Sequence, residues 1–130
     1  VTTSNDLLLP GPELDALVAE KVMGWSKSKR IAGEWTVPLP DEPTIIMEIK
    51  VTPRFSNEMD SAWCVVKRMS ELGFHITIEQ YGIFEASSEW FVYFDEPPKR
   101  GGRKGSGQDR WAPKAICYAA LYALEIWRLP

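Results

Sequence analysis

The sequence predicts an α+β fold with a small, largely antiparallel sheet held between helical layers, in the order helix, strand, helix, strand, strand, helix. Three observations carry this. Residues 59–72 repeat apolar side chains at helical spacing, 74–79 and 89–95 alternate at strand spacing, and 112–127 are apolar almost all round a helix. At 130 residues, with 45% hydrophobic and 25% charged content, the chain reads as one domain, 1–130, able to bury a core without staples.

Residues 1–10 read as a loose leader. Gly11 and Pro12 open a first helix whose buried stripe is Leu14, Leu17, Val18, Val22 and Trp25. Lys21 falls inside that stripe, either as a stem that packs while its head reaches water or as an anchor for an anion. Ser26 to Arg30 is a basic turn, and Trp35, set among Pro38, Pro40 and Pro43, lies in an irregular surface segment. Thr44 to Val51 has the β-branched content of an edge strand.

The central helix buries Met59, Ala62, Val65, Val66, Met69 and Leu72, with Trp63 at the edge of that face. Ser56 or Asn57 is placed to cap its start, and Gly73 to end it. Arg54 and Phe55 sit at its N-terminus, where anions are favoured. Phe74, Ile76 and Ile78 give the next strand one apolar face. In Glu89 to Asp95 both faces are apolar, so this strand is expected to be covered twice or to face a partner, and the two strands to form an antiparallel hairpin.

Glu96 to Arg110 is rich in Pro, Gly and charge, and reads as a mobile basic loop that orders around a ligand. The last helix, from Trp111-Ala112-Pro113, has Ile116, Cys117, Ala120, Leu121, Leu124 and Trp127 on its core face. Tyr118, Tyr122 and Ile126 lie on the other side, which predicts a homo-oligomer through this helix.

Much chemistry is missing. The net charge of −3 and the absence of a long apolar run argue against general nucleic-acid binding and membrane insertion. Cys64 and Cys117 lie on different kinds of helix face, so no disulfide is expected. One histidine, His75, and two dispersed cysteines do not make a zinc site, no nucleotide or hydrolase fingerprint is present, and His75 reads as structural. Neither catalytic residues nor a cofactor are assigned.

Three stretches carry a resemblance: PRFSNEMDSAWCVVKRM from Pro53, ELDALVAEKVMGW from Glu13 and APKAICYAALYAL from Ala112, together about a third of the chain. In their chain order, from Glu13, Pro53 and Ala112, they resemble the phage ABA sandwich domain family. The resemblance implies an α/β/α sandwich encoded by a phage gene and expressed in the bacterial host's cytoplasm, and no family-wide reaction. The basic loop and residues 26–52 depart from the family's usual pattern.

The function that fits is a non-catalytic binder of a small anionic ligand, with sequestration of a nucleotide-derived host defence signal as its concrete form. Its expected contacts are Arg100, Arg103, Lys104, Arg110 and Trp111 in the loop, with glycines 101, 102, 105 and 107 letting the backbone close in. Lys21, Trp25, Trp35 and Arg54 are further wall residues. The alternatives are a phage protein-interaction module and an enzyme acting on such a nucleotide.

Overall fold

The computed structural model describes residues 11–29, 34–38, 46–82 and 89–126. The expected leader, Arg30, Pro40, Pro43, Thr44, Ile45, residues 83–88 and Trp127 lie outside the described residues. Among the described residues the fold is an α+β sandwich of three helices and two antiparallel three-stranded sheets. In chain order the elements are α1 (Gly11–Lys21), β1 (Ser26–Lys27), β2 (Trp35–Pro38), β3 (Ile46–Ile49), α2 (Met59–Glu71), β4 (His75–Tyr81), β5 (Glu89–Asp95), a 3₁₀ turn (Pro98–Arg100), β6 (Lys104–Asp109) and α3 (Ala112–Ala123).

The first sheet, in order β1-β2-β3, replaces the irregular segment expected around Trp35. Trp35 is 3% exposed, its indole N–H donates to Thr52 Oγ1 at 2.8 Å, and its ring meets Trp25 at 6.5 Å. The nearby prolines suggested a loop, but only Pro38 falls within β2, as its last residue. Ile46–Ile49 forms an edge strand, as its composition predicts.

Asp15 on α1, 4% exposed, accepts the Ser56 N–H at 2.7 Å and ties the approach to α2 onto α1. The Ser56 hydroxyl donates to Gly11 O at 3.5 Å and does not take the expected capping role. Glu58 holds the cap position without a side-chain bond. At the other end Gly73, at φ +97°, lets the chain reverse, with Phe74 N–H bonding back to Met69 O.

The second sheet, β4-β5-β6, contains the expected hairpin, His75↔Asp95 through Tyr81↔Glu89, and one strand more. Lys104–Asp109 pairs with β5 along its whole length, so the string expected as a mobile loop is a 3₁₀ turn followed by a strand. Gly105 and Gly107 make this possible. A Cβ on Gly107 would lie 2.7 Å from Ala119 N and nearer still to Ala115 O, and one on Gly105 would lie 2.6 Å from Ala123 Cα. The absence of side chains lets α3 rest directly on β6.

Val92 and Phe94 face α3 across this contact, and the core continues through Leu14, Val65, Met69 and Ile116 to Phe55, Trp35 and Val37. Helix α3 is buried within its own chain. Tyr118 is 5% exposed, with its phenol pushed up to about 12 by burial, Tyr122 is half-buried, and Ile126 is 38% exposed. The second apolar face of this helix is therefore covered mainly by the fold itself. Two half-buried aromatic residues of β5, Phe91 and Tyr93, stay outside the core.

Candidate functional site

A pleated strand sends alternate residues to opposite faces. With Val92 and Phe94 turned to the helices, Phe91 and Tyr93 of the central strand must face the other way, and neither joins the core. The register sets polar neighbours beside them: Thr77 and Ser106 flank Tyr93, Glu79 and Gln108 flank Phe91. Tyr81 adds a third ring, 56% exposed and edge-on to Phe91 at 5.2 Å. The Glu79 carboxylate beside it raises the Tyr81 phenol pKa.

The two ends of this face differ in charge. At one end the row is His75, Asp95 and Lys104, and at the other Tyr81 and Glu89, with Glu79 one row in. The first row opens into a depression of about 530 Å³ walled by His75, Asp95, Lys104, Pro98, Gly101 and Gly102. Glu96 also borders it, but its charge is spoken for. Arg103 grips it through Nη2 at 3.0 Å, Nε at 3.1 Å and its backbone N–H at 3.3 Å. Those bonds hold the Glu96 carboxyl below the usual carboxylate range and raise the Arg103 guanidinium in turn. Arg103 also lies over the Phe74 ring, 5.1 Å from its centroid.

The residues singled out in the sequence do not converge. Lys104 and Arg110 stand at opposite ends of β6, roughly 20 Å apart at about 3.4 Å per residue. Arg100, Arg103 and Lys104 share one end of the sheet. There Arg100 lies against Gly73, Arg103 is bound to Glu96, and Lys104 points to the outer face. At the other end Trp111, 54% exposed, donates its indole N–H to Asn57 O at 3.0 Å. Trp25 and Trp35 meet each other, and Trp25 meets Phe55 at 5.8 Å, beside exposed Arg54. A smaller hollow of about 260 Å³ adjoins Trp35, Lys27 and Glu34. Lys21 ends α1 with its side chain 47% exposed and its ammonium 3.4 Å from Glu20.

A model of the phage ABA sandwich domain matches residues 16–121, a span that takes in both sheets, all of α2, the later half of α1 and most of α3. The chain belongs to the phage ABA sandwich domain family. Neither the curated proteins nor the solved structures include a significant match to it. No described helix of this ABA sandwich chain is long and apolar enough to cross a membrane.

What the site residues in this ABA sandwich protein offer is stacking and polar recognition. Two aromatic rings on adjacent outward positions of one strand are about 7 Å apart, and donors and acceptors flank each. Phe91, Tyr93, Thr77, Ser106 and Gln108 were not singled out from the sequence, and His75 was read as structural. The signal was present in the doubly apolar pattern of 89–95. What it lacked was the knowledge of which face the helices take.

Proposed function

We propose that this phage ABA sandwich protein is a non-catalytic binder of a small, nucleotide-like anionic ligand, working in the host cytoplasm to sequester a nucleotide-derived signal. The observation that carries the reading is the pair Phe91 and Tyr93, outside the core, beside a depression that holds Lys104. A base stacks on the two rings, and Thr77, Ser106 and Gln108 supply hydrogen bonds to its edge. The anionic group points toward His75 and Lys104, because Glu79 and Glu89 make the other end repulsive. Compared with the loop expected from composition, the ligand moves from the glycine-rich backbone to the outer sheet face, and Lys104 is the residue the two readings share.

The test is calorimetry of the parent chain against linear and cyclic nucleotides and ADP-ribose derivatives, followed by mass spectrometry of the ligand released on denaturation. Base stacking contributes roughly 1–3 kcal/mol per base, so Phe91→Ala with Tyr93→Ala is expected to weaken binding at least about fivefold. Lys104→Ser is expected to weaken it and to reduce its salt dependence. Equal affinity for parent and double variant, or no binding across the panel, would defeat the reading, and recovery of a chemically altered ligand would make the protein an enzyme.

A further inference from the structure

A second surface lies where α2 meets the free edge of the second sheet, next to the outer face and sharing His75 with the depression there. Strand β4 is terminal in the order β4-β5-β6, and no described strand pairs with its far side. Its sequence, HITIEQY, contains none of the Pro or Lys residues by which exposed edges are usually protected. Helix α3 covers β5 and β6, while α2 packs on α3 and β4. Packed helices stand about 8–10 Å apart and paired strands about 4.8 Å, so the axis of α2 falls at or beyond β4 and overhangs the edge. Under the overhang is a groove of about 590 Å³, with Trp63, Val66 and Lys67 on the helix side and Phe74 and Ile76 on the strand side. Trp63 is 50% exposed, although it sits in the middle of a well-formed helix.

We propose that this groove takes an extended polypeptide segment of a partner protein, added as a fourth strand to β4. The segment carries β-branched apolar residues at alternate positions, turned under α2, and basic or hydroxyl residues between them on the outer side, where Glu79 is exposed. A second copy of this chain pairing through its own β4 brings its own overhanging α2 into the same volume, so the occupant is a single strand without a helix above it.

The probe is an acetylated, amidated heptapeptide of alternating Val and Lys or Thr, titrated into the full ¹⁵N-labelled chain. Binding is expected to slow hydrogen exchange at alternate amides of β4 and to shift Trp63 fluorescence. Two versions N-methylated at alternate positions separate strand addition from simple hydrophobic contact: the register whose N–H groups face β4 loses binding, and the other keeps it. Trp63→Ser is expected to weaken binding by about tenfold or more, whereas Val51→Ser, at an exposed apolar residue that does not line the groove, leaves it unchanged. No change at about 1 mM peptide, equal binding of both methylated versions, or no effect of Trp63→Ser would overturn the proposal. Protection of β4 in a peptide-free dimer would overturn it in favour of a second copy.

Discussion

Replacing Gly107 by Ala tests whether the basic, glycine-rich string is a packed strand. Gly107 is buried, and its φ does not lie in the left-handed region, so alanine meets no backbone penalty of its own. The cost comes from contact: the added Cβ would lie 2.7 Å from Ala119 N, and closer to Ala115 O, where ordinary contacts begin at 3.4 Å. Both neighbours are helix backbone, which cannot rotate aside as a side chain can. Helix α3 must therefore back away from β6 by roughly 1 Å, enough to forfeit a quarter to a half of the dispersion attraction across the gap. Overpacking of this kind costs about 1–3 kcal/mol, and the rigid neighbours put Gly107→Ala near the top of that range. With a urea m-value of roughly 1–2 kcal/mol/M, the unfolding midpoint followed by circular dichroism is expected to fall by about 2 M at unchanged m. A mobile connector behaves oppositely: Gly→Ala there stabilises by about 0.4–1 kcal/mol, because it restricts the unfolded chain. Ser106→Ala, one residue away on the open face, is the control and is expected to stay within about 0.5 kcal/mol. A Gly107→Ala midpoint equal to or above the parent's would refute the strand and the close helix contact together.

Asp15→Ala removes the buried acceptor of the Ser56 N–H, and is expected to cost about 1–3 kcal/mol in the same urea assay; an unchanged midpoint would show that this bond does not anchor the approach to α2. Arg103 depresses the folded pKa of Glu96. Its ionised form therefore contributes fully above the unfolded value of about 4.3 and is lost as pH falls through the lower folded value, so Glu96→Gln is expected to lower stability at pH 7 and flatten the melting profile below about pH 4. Parallel acid profiles for parent and variant would remove the pair from the account. In thiol titration, exposed Cys64 is expected to react in the native chain while Cys117, buried and with its pKa pushed up by desolvation, reacts only after unfolding; rapid native reaction of Cys117 would mean that α3 is less well buried than described.

The parts of the fold legible in the sequence are those whose local pattern and tertiary role agree. The central helix carries its own amphipathic face and ends at Gly73. The β4–β5 hairpin alternates at the strand period, and its register follows. Trp35 and the Lys104–Asp109 strand were obscured for opposite reasons. Pro38 is the last residue of a short strand, and from composition alone such a boundary looks like a loop. The glycines of KGSGQD are depleted in strands because they offer nothing to pack, yet here the surface they leave vacant is filled by helix backbone. Only the position of α3 supplies that fact, and α3 lies later in the chain.

The candidate site was obscured by the same string. Once Gly105 and Gly107 are committed to α3, the alternation of β6 turns Lys104, Ser106 and Gln108 outward together, and pairing sets them beside Asp95, Tyr93 and Phe91. A surface that composition distributes between a basic loop and an over-apolar strand thus becomes one face. The apolar excess of 89–95 also gains a simpler explanation. Trp90, Val92 and Phe94 pack with the core while Phe91 and Tyr93, half-buried, stay outside it, so under the proposed function the two rings serve the ligand and not the fold. If they were structural after all, removing both would lower the unfolding midpoint in proportion to the area they bury. A ligand-facing role predicts a nearly unchanged midpoint with lost affinity, so unfolding and calorimetry on the same double variant separate the two.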